Sequence, residues 1–403
     1  MGNSPKIARL LKSVAFVAVS AVVLAGCSSS GDSSSGNKDF QVLVMVGLTG
    51  PIAANAEAEV NAMKAAADVL NKDGGILDRN VKVDVIDTQT DPTKAVSLLQ
   101  EKLGSGYKPD LVWHGVSSDE TLALLPALTQ RKLLSIGQTA ADAINDPSKY
   151  PYAFGTQPSA AVAASTLAAQ FKSSGAKSVG VIAADNAYGQ STADAVEKAL
   201  TDSGVMGKRE SYSPTAVDLT SSVQRLLASK PDAVFFQGYG AASTYLLKAR
   251  TKLQSEVPWV GSLSVSATNT TEITPAADLA GVKLQIYDIQ KFVPEADRPA
   301  GLNTMITQVT KHGTMSEAMN LYSGTYDALM LVAAGAEQAK SADGPKVAKA
   351  IESLKTPAKP KWVTYNEWGY SADSHFPVPT QDNSGFAFLD AKPGKTADGM
   401  LPE

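Results

Sequence analysis

The sequence alternates regularly between short apolar runs and longer segments with helical spacing, and this alternation limits the folds that the chain can adopt. The alternation begins with QVLVMVG at 41–47, which has the length and uninterrupted apolar character of a buried strand. A helical segment from 54 to 72 follows and ends at the helix-stop signal Gly74-Gly75. Buried strands that alternate with helices form parallel sheets with helices on both faces. The pattern therefore predicts an α/β fold with doubly wound parallel sheets.

The same alternation continues along most of the chain and defines the other predicted elements. Further strands are expected at 81–87, 110–115, 132–137, 178–184, 233–238 and 258–261. Further helices are expected at 92–103, 118–131, 159–173, 188–202, 217–228, 241–251, 299–312 and 318–339. The chain has 403 residues, and a single hydrophobic core seldom serves more than about 300. We therefore expect two lobes, each with its own sheet.

Residues 1–26 have the composition of an export signal. Three basic residues stand within the first twelve positions, and an uncharged apolar run extends from Ser13 to Leu24. A run of this length is too short to span a bilayer but is typical of a signal peptide. It ends in LAGC at 24–27, which resembles the bacterial lipobox and implies cleavage before Cys27 and lipidation of that cysteine. We expect an extracytoplasmic protein that a lipid anchors to the cell membrane.

The composition of the residues after the signal peptide further limits the kind of protein that this chain can be. Residues 27–38 are rich in Ser and Gly and are expected to form a flexible tether. Cys27 is the single cysteine of the chain, so the fold is expected to depend on its core and not on a disulfide. No later segment has about 18 consecutive apolar residues, so none is expected to cross a membrane. A net charge of −4 and a pI near 5.6 argue against nucleic acid as a partner.

Small polar residues follow several of the predicted strands. These turns are GLTGP at 47–51, HGVSSD at 114–119, IGQTA at 136–140, DNAYG at 185–189 and QGYGA at 237–241. In open α/β sheets the ligand lies at the carboxyl ends of the strands, near helix N-termini. The polar turns of two lobes therefore predict a binding cleft between the lobes.

Six segments, in this order, resemble the leucine/isoleucine/valine-type periplasmic binding proteins. They are GLTGP, the stretch from Asp87 to Pro92, SSDETLALLP, DNAYGQ, PDAVFFQGYGA and LYSGTYDALML. The resemblance spans nearly all of the chain after the tether and implies a type I solute-binding protein, whose two lobes are joined by three crossovers and close on a small ligand. It implies lobe one at 39–156 plus about 287–380, and lobe two at 157–286 plus about 381–403.

The same resemblance implies the partners. They are a small-molecule solute and the permease and ATPase subunits of an ABC importer. We expect a monomer that uses no cofactor, no metal and no catalytic residue.

The family's ligand residues carry over only where positions match. Ser117 is kept after the third strand, with Ser118 beside it, and hydroxyls at a helix start suit an anionic group. The segment from Ser117 to Glu120 also fits a helix capping box, and both roles can hold together. After the fourth strand, Gln138-Thr139-Ala140 stands where the family has two small residues and Thr, so Thr139 fits only with a register shift of one.

In the expected second lobe, two residues match the family's ligand residues and one residue differs from them. Tyr188 and Tyr239 match the family's cleft tyrosines, although half-buried packing is an alternative role. Leu263 stands where amino-acid-binding members carry an acid that pairs with the ligand's ammonium. A buried ammonium without a counter-charge costs several kcal/mol. This departure argues against a simple α-amino acid as the ligand, unless another acid such as Asp119 or Glu120 reaches the pocket.

A difference from the family in the expected first lobe also argues against a simple α-amino acid as the ligand. Asn55, flanked by alanines, stands where a Tyr commonly closes the pocket, which predicts a roomier cavity. Our hypothesis is a carboxylate, an amide or a short acyl compound as the solute. A true branched-chain amino acid binder and a lipoprotein that presents ligand to a separate membrane sensor remain alternatives.

Enzymatic function has little support in the sequence. No H-E-x-x-H, G-x-S-x-G or Walker motif is present among the 403 residues. His114, Ser117 and Asp119 lie close together in sequence, but a catalytic triad is normally assembled from separate elements. We therefore expect His114 to pack or hydrogen-bond at the end of its strand.

Overall fold

The protein is described by a computed structural model that covers residues 39–402 except Ala140, Ala358 and residues 379–384. The predicted signal peptide, Cys27 and the tether lie outside the described residues, as does the boundary expected near 380. Within the described ranges, no helix has the length and apolar character needed to cross a membrane.

Two sheets organise the described part of the chain. The strands of the first sheet are β1 (Phe40–Val46), β2 (Val81–Asp87), β3 (Leu111–Trp113), β4 (Ser135–Gly137) and β5 (Ala153–Gly155). Those of the second are β6 (Ser178–Ala184), β7 (Met206–Tyr212), β8 (Ala233–Phe236), β9 (Trp259–Gly261), β10 (Val282–Tyr287) and β11 (Phe386–Asp390). The strand orders are β2-β1-β3-β4-β5 and β11-β10-β9-β8-β6-β7. All the pairs are parallel except β10 with β11.

Helices cover both faces of each sheet. They are α1 (Ala53–Lys72), α2 (Pro92–Gly104), α3 (Ser118–Gln130), α4 (Ala160–Ser173), α5 (Ala187–Asp202), α6 (Thr220–Leu227), α7 (Ala241–Lys252), α8 (Leu263–Ser266), α9 (Thr270–Ile273), α10 (Ala276–Leu279), α11 (Ala300–Val309), α12 (Met319–Ala339) and α13 (Gly344–Glu352). Short 3₁₀ turns lie at Asp142–Ile144, Asp288–Gln290 and Glu295–Asp297.

Strand β1 shows why the sheets are buried on both sides. Successive residues of a strand point to opposite faces. Val42 and Val44 belong to the core shared with α1 and α12, whereas Leu43 and Met45 belong to the core shared with α2 and α3. Strand β8 divides its residues between two cores in the same way. The apolar runs are therefore the buried strands of two doubly wound lobes, which confirms the predicted fold class.

The chain moves between the two sheets where strands end. After β5 ends at Gly155, α4 and β6 belong to the second lobe. After β10 ends at Tyr287, the chain returns, and α12 packs on α1 in the first lobe. Strand β11 then adds to the edge of the second sheet. The chain therefore crosses from the first lobe to the second after β5 and returns after β10.

Some elements differ from the sequence-based expectations. Strands β5, β7, β10 and β11, the short helices α8, α9 and α10, and helix α13 had no predicted counterpart. Strand β7 is an edge strand with mostly exposed or half-exposed polar residues, so it lacks an apolar run. The helix expected at 217–228 begins only at Thr220, whose N–H donates to the Asp218 carboxylate at 2.8 Å. This side-chain bond satisfies a backbone N–H at the start of α6.

Candidate functional site

A cavity of about 460 Å³ lies between the two lobes, at the carboxyl ends of both sets of strands. We call it the interlobe cavity. The first lobe lines it with Pro51, Ile52, Thr90, Val116, Ser117, Ser118 and Asp119. The second lobe lines it with Ala184, Asn186, Tyr188, Tyr212, Pro214, Thr215, Gln237, Tyr239 and Ala242. Its position is the one that parallel α/β sheets use for ligands.

Ser117 and Ser118 form the polar part of the first-lobe wall. Ser117 is the N-cap of α3, and its Oγ accepts a hydrogen bond from the Glu120 N–H at 3.3 Å. The predicted capping role is therefore present. The Ser118 Oγ is buried and has no hydrogen-bond partner among the described residues. An unpaired buried hydroxyl costs free energy unless a ligand or water satisfies it. Ser118, which lines the cavity, thus has a hydroxyl with unused hydrogen-bonding capacity.

Tyr188 and Tyr239 form the opposing wall. Their ring centroids lie 5.9 Å apart at an interplanar angle of 66°, in an edge-to-face arrangement. Burial raises the pKa of both phenols above its ordinary value, so both stay protonated at neutral pH. Each ring offers an apolar face, the Tyr188 hydroxyl interacts with the side chains of Ser264 and Thr192, and the Tyr239 hydroxyl can donate a hydrogen bond. The wall can therefore cover a planar or aliphatic solute and also bind its polar end.

The loop after β8 is held in place by Gln237. Its Oε1 accepts from the Ala184 N–H at 2.9 Å, and its backbone oxygen accepts from the Tyr212 hydroxyl at 2.9 Å. These bonds join the loops after β6, β7 and β8, which all line the interlobe cavity. Gln237 was not singled out from the sequence. It lies at the end of the strand predicted at 233–238 and begins the polar turn QGYGA, which was the available signal.

Four other residues singled out from the sequence do not line the interlobe cavity. Gln138, Thr139 and Asn55 are buried, and Gln138 Nε2 donates to the backbone oxygen of Asn320 at 2.6 Å. Leu263 is buried beside Tyr287 and Phe386 and lines a separate space of about 20 Å³ together with Tyr188. The structure thus brings together Ser117, Ser118, Tyr188 and Tyr239, and it places the other four behind the cavity walls.

Hydrogen bonds connect the lobes at the edge of the cavity. Asp119 Oδ1 accepts from the Ala187 N–H, the first residue of α5, at 3.2 Å. The backbone N–H of Asp142 donates to Ser191 Oγ at 3.1 Å. A carboxylate at a helix N-terminus is stabilised by the unpaired N–H groups and the helix dipole. The lobes are therefore in contact, as in the closed form of a hinged protein.

Glu59 is a buried acid that was not singled out from the sequence. It lies on α1 with a relative exposure of 0%, and its Oε2 accepts a hydrogen bond from Trp113 Nε1 at 2.7 Å. Its Oε1 has no partner among the described residues. Burial, the main cause, raises the pKa of Glu59 from 4.5 to about 8, and the nearby Glu120 carboxyl adds to the increase. The side chain is therefore neutral at pH 7. The sequence signal that was available for Glu59 is its spacing, four residues after Asn55 and seven after Ile52.

The described residues offer no cluster of metal-ligating side chains. No group of three or more His, Cys, Asp or Glu side chains in the described ranges is placed to hold a metal ion. His114 is buried, its Nδ1 lies 3.0 Å from Thr121 Oγ1, and burial lowers its pKa to about 3. The imidazole is therefore neutral and packed at the end of β3.

Sequence comparison places this arrangement among known proteins. The sequence profile of the family described as periplasmic binding protein matches residues 40–378. A curated relative, the Leu/Ile/Val-binding protein of Rhizobium johnstonii, is 26% identical over 349 residues. These residues are 82% of this chain and 88% of the relative. The match thus includes both lobes and the cavity between them.

Structure comparison agrees at the level of the fold. A periplasmic binding protein type 1 from Bordetella pertussis superposes with a TM-score of 0.76 at 19% identity, over 87% of this chain and 96% of that chain. A solute-binding protein of an ABC transporter from R. palustris, solved in complex with benzoate, gives a TM-score of 0.73 at 18% identity. That match covers 89% of this chain and 94% of the R. palustris chain.

Proposed function

Because this chain belongs to the periplasmic binding protein family, we propose that it is the extracytoplasmic solute receptor of an ABC importer of the branched-chain-amino-acid type. The solute is a small organic carboxylate or amide that binds in the interlobe cavity. Its partners are the permease and ATPase subunits of the importer. The observation that supports this site most strongly is the unpaired, buried Ser118 hydroxyl opposite the tyrosine wall.

The chemistry of the lining favours a solute with acceptor oxygens. Donors come from both lobes: the hydroxyls of Ser118 and Tyr239, together with the free N–H groups in the first turn of α3. Among the lining residues, Asp119 is the one carboxylate, and it already accepts from the Ala187 N–H. A carboxylate or amide oxygen therefore finds partners at the start of α3.

The same lining offers an ammonium group a single counter-charge, the Asp119 carboxylate, whose Oδ1 already accepts from the Ala187 N–H. Leu263, at the position where the family's amino-acid binders carry an acid, is packed against Tyr287 and Phe386. An ammonium that is buried without a counter-charge costs several kcal/mol. The R. palustris relative solved with benzoate is compatible with a carboxylate solute. The name of the R. johnstonii relative favours a second candidate, a branched-chain amino acid such as leucine.

Attachment to the membrane is part of the proposal. Cys27 carries the lipid, residues 27–38 act as the tether, and the receptor works as a monomer at the outer face of the cell membrane. The composition of residues 1–38 supports this placement. Replacing Cys27 by Ser should release the protein from the membrane fraction, and continued membrane attachment of that variant would refute lipid anchoring.

A thermal-shift screen of residues 29–403 tests the solute class. The screen compares benzoate and benzamide with leucine. A ligand at 100 times its dissociation constant adds about 2.7 kcal/mol to the free energy of unfolding, which gives a clear shift. We expect a shift with the carboxylate or the amide. A shift with leucine alone would contradict the proposed class and support the second candidate.

A double substitution tests the site. Replacing Ser117 and Ser118 by Ala removes the two hydroxyls of the first-lobe wall and should weaken solute binding about thirtyfold, since each hydrogen bond contributes roughly 1 kcal/mol. Calorimetric titration measures the affinity, and circular dichroism checks the fold. Unchanged affinity would remove both residues from the site.

A further inference from the structure

We infer that the interlobe cavity binds an elongated solute, a carboxylate or amide whose polar head lies at the start of α3 and whose apolar tail extends to the edge strands β2 and β7. This inference rests on the proposed function and adds to it the shape of the solute. The tail occupies the part of the cavity that is lined by Thr90, Tyr212, Pro214 and Thr215, which we call the outer part.

The cavity is lined by residues from the ends of three adjacent strands in each sheet and the turns that follow them. In the first lobe these strands are β2, β1 and β3, and in the second lobe they are β7, β6 and β8. Each set lies at one end of its sheet and includes an edge strand. Among the described residues, none from the turns after β4 and β9 lines the cavity.

This position differs from the one that the family resemblance implies for an amino acid. Thr139 and Leu263, which stand at or beside two of the implied ligand positions, follow β4 and β9. The cavity instead includes the turns after β2 and β7. It is therefore displaced by one strand toward the edge of each sheet.

The size of the cavity suits a solute longer than leucine or benzoate. Neighbouring strands are about 4.8 Å apart, so three adjacent strands span roughly 10 Å from the first to the third. The cavity volume of about 460 Å³ is in the range that accommodates drug-sized ligands. Leucine and benzoate are shorter than this span, and each would leave the outer part without solute. An extended chain of the length of octanoate reaches across all three strands.

Polar groups for the head are concentrated at the inner end of the cavity, beside β3 and β8. Ser118 has a buried hydroxyl without a partner among the described residues, and the first turn of α3 has free N–H groups. The Tyr239 hydroxyl is contributed by the turn after β8. The head of a carboxylate or amide therefore belongs at the start of α3.

The outer part mainly offers contact surface for an apolar tail. Tyr212 is buried and its hydroxyl already donates to the backbone oxygen of Gln237 at 2.9 Å, so its ring is the part available to a solute. Thr215 Oγ1 lies 3.0 Å from Ser213 Oγ and shares a hydrogen bond with it. Pro214 and Thr215 are exposed, so the cavity opens to solvent beside β7. A tail that is longer than the cavity can therefore extend into solvent.

The first-lobe wall of the outer part is held in place. The Asp87 carboxylate at the end of β2 accepts from the N–H groups of Thr49 at 3.2 Å and Gln89 at 2.9 Å, which joins the turns after β1 and β2. Thr90 has a φ of 59°, a left-handed conformation that β-branched residues rarely adopt. A Cβ on Gly47 would clash with Thr90 Oγ1, so this close approach requires glycine. Strained backbone of this kind is concentrated at ligand sites.

A series of straight-chain alkanoates from butyrate to dodecanoate, together with the corresponding amides, tests the elongated shape. Calorimetric titration of the protein measures the affinities. Each methylene that enters the cavity should tighten binding by up to about fourfold, so the octanoyl compound should bind at least about tenfold more tightly than the butyryl compound. Affinity should level off between decanoate and dodecanoate, because further methylenes lie outside the cavity. Affinity that stays constant or falls from butyrate to octanoate would overturn the proposal.

Two substitutions between β7 and α6 test where the tail lies. Thr215→Trp fills the outer part and should reduce the preference for octanoate over butyrate about tenfold. Val217→Trp is the matched control, because Val217 lies in the same segment, is 74% exposed and does not line the interlobe cavity. The control should keep the preference of the unsubstituted protein. A preference that Thr215→Trp leaves unchanged would refute this placement of the tail.

Ser118→Ala tests where the head lies. It removes a hydroxyl that is expected to contact the head at every chain length, so it should weaken all members of the series by a similar factor of about five. A loss of affinity confined to the longer chains would place the tail at the start of α3 and overturn the proposed orientation.

Failure of the proposed function gives a different result. The protein would then bind leucine and neither benzoate nor any compound of the series, which would refute the solute class and the elongated shape together. Binding of benzoate or butyrate without any gain from added methylenes would leave the solute class intact and overturn the elongated shape alone.

Discussion

The substitution Glu59→Gln should change how the stability of the protein depends on pH. The Glu59 carboxyl is fully buried, and its pKa is raised from 4.5 to about 8. In the unfolded chain it ionises near its ordinary pKa, whereas in the folded protein it stays protonated until about pH 8. The folded protein therefore binds more protons between these values, and its free energy of unfolding decreases as the pH rises.

The magnitude follows from the shift of Glu59. Each unit of pKa difference corresponds to about 1.4 kcal/mol, so the loss at pH 7 is roughly 3 kcal/mol and approaches about 5 kcal/mol above pH 9. Gln cannot ionise and can still accept from Trp113 Nε1 through its carbonyl oxygen. The Gln variant should therefore match the unsubstituted protein near pH 4.5 and become more stable than it by roughly 3 kcal/mol at pH 7.

Urea unfolding of both proteins at several pH values between 4.5 and 9 measures this difference. Burial also raises the pKa of Asp327 and Glu317 to about 7, but both residues are present in the two proteins, so their effects cancel in the comparison. The exposed control Glu57→Gln should differ little from the unsubstituted protein at every pH. A stability difference for Glu59→Gln that stays constant with pH would refute a raised pKa in the folded state.

Two further substitutions test contacts between and within the lobes. Asp119→Ala removes the bond to the Ala187 N–H and should favour lobe opening by about 1 kcal/mol, seen as roughly fivefold weaker solute binding and a larger radius of gyration by X-ray scattering. Unchanged affinity and radius would show that this bond does not stabilise closure. Asp327→Ala leaves the N–H groups of Val363 and Thr364, both 2.7 Å from the carboxylate, without acceptors and should cost about 3 kcal/mol in urea unfolding. A loss below about 1 kcal/mol would contradict this estimate.

The sequence predicted the strands and helices whose residues are buried along most of their length. Strands β1, β6 and β8 are apolar runs because each is covered on both faces, and helices α1 and α12 carry long apolar faces. Strands β7 and β11 are edge strands, and β7 has polar residues that an exposed edge tolerates. Periodicity therefore identified most central strands and the edge strand β2, but it missed the edge strands β5, β7 and β11 and the central strand β10.

The site was predictable where a turn directly follows a strand. Ser117 and Tyr239 lie in such turns, Ser118 and Tyr188 lie in the first turns of the helices that follow, and the carboxyl ends of parallel strands bring all four to one cavity. Glu59 was missed because its burial depends on Trp113, which is 54 residues away in sequence. The packing of Leu263 likewise depends on Phe386, from a distant segment. The spacing of residues within one element does not reveal contacts between segments that are distant in the sequence.

The most direct test of the account is a crystal structure of the protein with the solute that the thermal-shift screen identifies. We predict density for the solute in the interlobe cavity, with a carboxylate or amide oxygen at the start of α3 near Ser118 and the remainder against Tyr188 and Tyr239. A second concavity of about 360 Å³ lies on the first lobe beside Trp362. Solute bound there, or anywhere outside the interlobe cavity, would contradict the proposed site.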